Sequence, residues 1–518
     1  MTEPSTTVVI GAGHNALVCA TYLARAGRRV TCLEAAAMPG GMASYRAFGE
    51  GYSAPIAHAQ YPLDDRLVKD LDLEQHGYRA GAPAPTTVLD PEGQTLSALG
   101  TDLSGAGATR GDQAAYRALR AGFAEFADCL APLFDSAPPR LKHLGMGELR
   151  GLSSLALRLR FGLGREKLQE LLRVAGMNIY DLLDEHFADE RIKGLMALEA
   201  LQGSAMGPRT PGTVLTWLHR LANAHDRFPA IAADADRSIG TALANALRAA
   251  GGELRYDTKV RAISIEDSRA TGVILSDGER IRASTVISGV DPRATFEELL
   301  GLPSLDAAFA RRITQIRGRG VVAKLHLGLN SLPAFPGLTP ETLGGRMLVA
   351  PSADYVEKAF NPSKYGRHSP APVLEITMPS LANASLAPEG KHVMSMNISF
   401  VPYQTQGDTD AFRQSVLDSA LDTLGEYDRA LRSRVVCSDL MTPTDLEAQF
   451  GAVQGHWHHG ELSMHQSLML RPLYGAARYA APVRGVYLCS AGCHPGGDVS
   501  GRPGRNAAAA ILAAKDAP

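Results

Sequence analysis

The apolar pattern starts with TTVVI, which reads as a short buried strand. It leads into GAGHNALVCATYLARAG, a glycine turn followed by a helix. Gly27 is placed to end that helix, because glycine accepts the left-handed conformation just past a helix terminus. RRVTCLE then returns to strand and finishes on an acid. The short connections predict a parallel strand–helix–strand unit.

From about Asp112 to Leu201 the pattern turns helical, with long charged side chains on the exposed positions. Alternation resumes at GELRYDTKVRAISIEDSRATGVILSDGERIRASTVISGV, where DSRA and SDGE are turns. This predicts a small antiparallel meander and a return strand. VVAKLHLGL, VLEITMPS and HVMSMNISFVPY predict strands of a second sheet, and DTDAFRQSVLDSALDTLGEY an amphipathic helix. GVYLCSAG is a last buried strand before CHPGGDVSGRPGRN and the alanine run AAAAILAA. Dinucleotide-type elements thus stand at both ends of the chain. The pattern predicts a nucleotide-binding domain from residues 1–104, 216–300 and 445–518, with a substrate domain, 105–215 and 301–444, inserted into it.

With 518 residues, 45% of them hydrophobic, the chain is long enough for more than one domain and a sizeable core. A formal net charge of −2 leaves no electrostatic footprint for nucleic acid. No apolar run reaches the roughly 20 residues that span a bilayer, and no secretory leader pattern precedes the first strand. Six scattered cysteines suit free thiols in a reducing, cytoplasmic setting.

Gly11, Gly13 and Ala16 form G-x-G-x-x-A. The first glycine permits the turn and the second lets the backbone approach a pyrophosphate. The third small residue lets helix and strand pack closely. Glu34 ends the next strand, where a carboxylate accepts both hydroxyls of an unphosphorylated ribose, which favours FAD or NAD. Gly40 and Gly41 allow a second close backbone pass. Near the other terminus, Gly492, Gly496, Gly497, Gly501 and Gly504 would let a loop lie flat on a planar ring. Pro503 suits the first turn of the helix behind it, whose N-terminus would favour negative charge on that ring.

GAGHNALVCATYLARAG, the PGG after Glu34, MGPRTPGT, SLAPEGKHVMSM, HHGELSMHQSLMLRP and YLCSAGCHPGGDVSGRPGRNAA occur in order from end to end. Together they resemble the phytoene desaturase-related FAD-dependent oxidoreductases, and within them the pyridine nucleotide-disulfide oxidoreductase domain-containing subgroup. The resemblance implies an α/β fold: a Rossmann-type FAD-binding domain like that of amine oxidases and carotenoid desaturases, assembled from separated segments, with an inserted α+β substrate domain. It also implies non-covalent FAD and a lipophilic or unsaturated substrate, with action at a membrane surface for some members. The expected reaction is hydride removal from a C–H bond to flavin N5, leaving C=C or C=N. A flavin-dependent double-bond isomerase and a scaffold that binds FAD without turnover are the alternatives.

The expected FAD contacts are Gly11, Gly13, His14, Asn15, Ala16, Glu34, Gly40, Gly41, Met42, Ser44 and Val260, then Gly492, Val499, Pro503, Gly504 and Asn506. His459, in the family's H-G, and His494, in its H-P-G-G, are catalytic candidates. The chain departs from its relatives at Ala36 and Met42, where arginines are common, and at Ser238, Ile239 and Thr241, where glycines are. It also carries Asp498 in place of a glycine. A partly desolvated carboxylate there could serve as the base, while aspartate also caps turns. His456 and His458 would share a strand face, but no carboxylate or cysteine partner is evident and no metal is expected. Trp457 is either a pocket wall or core.

Overall fold

The structure, a computed structural model, describes residues 6–57, 63–81, 83–139, 153, 155–224, 239–407 and 409–514. Strand Thr6–Ile10 lies at the centre of a five-stranded parallel sheet, between Arg29–Leu33 and Thr285–Ser288. Glu253–Arg255 and Val486–Leu488 form its edges. The central strand is buried apart from Thr6, as in a parallel sheet covered on both faces. Helix His14–Arg25 covers one face and packs against Ile239–Ala249 and the C-terminal helix Arg502–Ala513. The two ends of the chain therefore meet in one layer. The predicted meander is present as antiparallel strands Val260–Glu266, Arg269–Leu275 and Arg280–Arg282.

A second sheet has eight strands, in the order Val435–Met441, Val322–Leu329, His392–Ser399, Leu374–Thr377, Arg346–Val349, Thr86–Val88, Leu96–Leu99 and Asp102–Gly105. One face packs on helix Thr409–Gly425 through Leu325, Leu327, Met394 and Met396. Helices Arg110–Leu130, Ile179–His186, Glu190–Leu201 and Thr213–Ala224 form a separate apolar core around Phe123, Leu182 and Trp217.

Sheet membership differs from the boundary expected near 104. Strands Thr86–Val88, Leu96–Leu99 and Asp102–Gly105 belong to the second sheet, because Thr86–Val88 pairs in parallel with Arg346–Val349. That partner lies some 260 residues away, and a local pattern of hydrophobic positions carries no trace of it. Among the described residues no helix is long and apolar enough to cross a membrane.

Candidate active site

The turn after the first strand is built from main chain. Gly11 has φ +87° and its N–H donates to the Leu33 carbonyl oxygen at 2.7 Å, which closes the turn against the neighbouring strand. A Cβ at Gly13 would meet open space rather than protein. Gly13 caps the following helix without a side-chain bond, and the first turn holds no acid. Its free N–H groups and partial positive charge therefore face outward, as a phosphate requires. Gly40 bridges to Gly13 and donates to the Ala12 carbonyl at 2.8 Å. Glu34 accepts from the Ala12 N–H at 2.5 Å and the Ala36 N–H at 2.9 Å, so its carboxylate is fixed at the rim of the cradle. Both polar atoms of the Asn15 amide and Nε2 of His14 are buried without a partner among the described residues. Such groups are costly unless something else bonds them.

This cradle opens into a cavity of about 1000 Å³, at the upper end of small-molecule and cofactor sites. Gly11, Gly13, His14, Asn15, Glu34, Gly40, Gly41, Met42, Ser44, Val260, Val499, His459 and Asp498 all line it. Its far end is walled by Leu198, Leu201, Val322, Phe400 and Trp457, with Glu375, Asn397 and Ser399 on one side.

Other expected site residues lie behind the wall. His494 is fully buried, stacked on Phe134 with ring centroids 5.9 Å apart, and its Nε2 pairs with the Leu133 carbonyl at 2.8 Å. It holds the C-terminal loop to the helical layer and does not line the cavity, which corrects its expected catalytic place. Asn506 likewise donates to the Phe134 carbonyl at 2.9 Å. Ala16 packs against Gly289, where a Cβ would fall 2.5 Å from its own. Gly504 lets the C-terminal helix cross His14–Arg25, since a Cβ there would sit 2.1 Å from the Asn15 carbonyl oxygen. Pro503 is buried in the first turn of that helix. Gly492 lies against Pro292 and the His459 carbonyl. These five are packing positions beside the cradle.

The remaining wall is a cluster of histidines around Asp498. This residue has φ +30°, and its carboxylate lies 3.7 Å from the Arg220 guanidinium and 3.6 Å from Nε2 of His458. Burial, followed by the positive charges of Arg471 and Arg220, lowers the His458 pKa to about 3. Burial likewise lowers His459 and His14 to about 4 and His456 to about 3. These rings are neutral at ordinary pH, and Nδ1 of both His458 and His459 is buried without a partner among the described residues. Among the described residues no group of three or more His, Cys, Asp or Glu side chains is placed to hold a metal ion.

Three positions that the motifs did not single out hold this wall. Arg471 is almost fully buried, and its terminal nitrogens donate to the carbonyls of His458, Gly460, Glu461, Gln466 and Ala491. Among the described residues its hydrogen bonds all go to main-chain carbonyls, and burial lowers its pKa to about 10 against the raising influence of Cys493 and Asp291. His219 and Asn223, one turn apart on helix Thr213–Ala224, reach the Pro495 and Gly496 carbonyls at 3.1 and 3.0 Å. Polar residues on the buried face of that helix were the available signal. At the altered helix start, Ser238 lies outside the described residues. Gly240 keeps the close contact, for its Cβ would fall 2.6 Å from the Gly40 Cα.

The family model for FAD dependent oxidoreductases (DAO) matches residues 6–466. The chain is 31% identical to pyridine nucleotide-disulfide oxidoreductase domain-containing protein 2 of Rattus norvegicus, over 97% of this chain and 92% of that one. It is 29% identical to hydroxyneurosporene desaturase of Cereibacter sphaeroides, over 98% of this chain and 97% of that one. Its fold resembles that of putrescine oxidase bound to putrescine, with a TM-score of 0.59 at 15% identity, over 98% and 99% of the two chains.

Proposed function

The chain belongs to the FAD-dependent oxidoreductase family, and from that premise we propose that it oxidises a C–H bond of a lipophilic or unsaturated small molecule, leaving C=C or C=N. The observation that carries this reading is the continuity of one cavity. It runs from the glycine cradle and Glu34 to a wall of Leu198, Leu201, Val322, Phe400 and Trp457. Cofactor and apolar substrate would share a single space.

The residues present fit FAD. Glu34 would take the adenosine ribose, and the N-terminus of His14–Arg25 with the unpaired Asn15 amide would take the pyrophosphate. When bound, FAD supplies the two-electron acceptor. The chain's own task is to orient the substrate and receive the accompanying proton. Asp498 on the cavity wall is the proposed acceptor, with His458 3.6 Å away and His459 beside it. Burial keeps both rings neutral, so they position the acceptor rather than take the proton, and Arg220 opposite Asp498 holds the carboxylate in place.

Anaerobic mixing with unsaturated apolar substrates tests the reading. Bleaching of the flavin band is expected for a desaturase, and Asp498→Ala should slow it by roughly a hundredfold, within the range of general base catalysis. Substrate conversion with no net change in the flavin band would instead mark an isomerase. Purified protein that shows no flavin band, and regains none with added FAD, would sink the reading altogether.

A further inference from the structure

The two faces of the eight-stranded sheet are unlike. Leu325, Leu327, Met394, Met396 and Ile376 face helix Thr409–Gly425 and form an apolar core. The alternate positions Lys324, His326, Ser395, Asn397, Glu375 and Thr377 are polar, and all except Asn397 are fully buried. Strict alternation of this kind belongs to a sheet with one face in water. Here the polar face is turned inward, and Glu375, Asn397 and Ser399 line the far end of the cavity.

The polar residues form an ordered row. Lys324, Asn397 and Glu375 are direct cross-strand neighbours on three adjacent strands. Lys324 Nζ donates to Asn397 Oδ1 at 3.3 Å, and Asn397 Nδ2 donates to Glu375 Oε2 at 3.4 Å. Arg346 Nε donates to the other oxygen of Glu375. The Glu375 charge is thus balanced by a guanidinium, and burial holds the Lys324 amine well below its usual pKa, towards the neutral form. What the row presents to the cavity is polar but close to charge-neutral. Asn397 has used one N–H and one lone pair, which leaves one of each, together with the Ser399 hydroxyl, for a ligand.

Polar groups covered by a bound ligand cost free energy unless they are bonded. A pure hydrocarbon would desolvate Asn397 and Ser399 and return nothing. A carboxylate would face Glu375, and the charge that an ammonium group would seek on Glu375 is already neutralised by Arg346. We propose that the substrate carries an uncharged oxygen terminus, a hydroxyl or carbonyl, at the end of its apolar body, and that Asn397 and Ser399 seat it. This rests on the reading of the cavity as the substrate chamber.

Four probes with one shared apolar body separate the possibilities: farnesol, farnesene, farnesoic acid and farnesylamine. Each is titrated into the FAD-loaded enzyme and followed by perturbation of flavin absorbance. Farnesol is expected to bind roughly tenfold tighter than farnesene, the value of about one well-made hydrogen bond in a dry site. Asn397→Leu should bring farnesol down to the affinity of farnesene, and Ser399→Ala should move it partway. Because the four-probe comparison uses the unaltered protein, it stands even if a variant fails to fold. Equal affinity for farnesol and farnesene, or a preference for the amine or the acid, overturns this inference while leaving the cavity reading intact. Binding of none of the four to a protein with a normal flavin spectrum overturns the cavity reading itself.

Discussion

The two ends of the cavity are built from different material. At the cradle the wall is mostly main chain, from Gly11, Gly13 and Gly40 together with the first N–H groups of one helix, with the Glu34 and Asn15 side chains beside it. These groups come from the first few dozen residues. At the far end the contacts are side chains, drawn from strands near 322, 375 and 397 and from the loop around 456–459. A main-chain site tolerates little change in size. A side-chain site on rigid strands can be altered residue by residue without moving the scaffold. The difference implies that cofactor and substrate recognition are separable by mutation, and the joints between the two ends are where that claim is easiest to break.

The largest effect is expected at Arg471→Met. It removes a buried guanidinium that satisfies five loop carbonyls and leaves them desolvated, at a cost of about 4 kcal/mol. Both ends should fail together, because the His456–Leu462 loop and Ala491 are tied to the same group. Thermal unfolding with flavin release as a second probe would check it; loss of turnover with unchanged melting would contradict the clamp. Gly504→Ala comes next. Its Cβ would meet the backbone oxygen of Asn15, which cannot rotate away, so about 3 kcal/mol of overpacking is expected. In contrast to Arg471→Met, the damage should begin at the cradle, as weakened FAD retention.

These two residues also mark how far the sequence could be read. The cradle was legible because its grammar is local. A glycine turn, the helix after it and the acid twenty-odd residues on are all set by short-range backbone requirements, and Gly11, Gly13 and Glu34 stand where that grammar places them. The C-terminal loop was legible as a glycine-rich stretch, but not in detail. His494 looked like chemistry and is an anchor, because the same H-P-G-G letters serve either use until Phe134 is known to lie beneath the ring. Arg471, Arg220 and Asn223 were not singled out, since each acts on a segment distant in sequence and leaves no local pattern. The polar sheet face was visible in HVMSMNISF as alternation. Its reading as a cavity wall required the cavity.

Glu34→Gln tests the cradle alone. The amide oxygen can still accept from the Ala12 N–H, but the charge and one of the two acceptors offered to the ribose are lost. FAD affinity should fall ten- to hundredfold, about 1.4–2.8 kcal/mol, with protein stability in the absence of cofactor little changed. Fluorescence titration of the apoprotein would measure it. An equal loss of apoprotein stability would mean that Glu34 serves the fold rather than the ribose.

The smallest effect is a pH dependence, and its sign follows from burial. His14, His219, His456, His458, His459 and His494 have pKa values lowered to about 3 or 4, so the folded protein keeps them neutral where the unfolded chain begins to bind protons. As pH falls through the unfolded value of 6.5, the unfolded state gains protons and stability drops, down to the folded values. Between about pH 7.5 and 6.5 each ring costs about 0.4 kcal/mol. Asp291 acts in the opposite direction. Burial raises its pKa to about 7, so over the same interval the folded state takes up a proton that the unfolded chain does not, a gain of about 0.7 kcal/mol. The histidines outweigh it, and a net loss of about 1.7 kcal/mol is expected on acidification. Asp291→Asn removes the opposing contribution and should steepen the fall, as read by denaturant unfolding at the two pH values. Among these rings only His14 stands on the glycine cradle itself, so flavin retention should decline less than global stability over this interval. A fall in flavin affinity that leads the loss of stability would show that the two ends do not titrate separately.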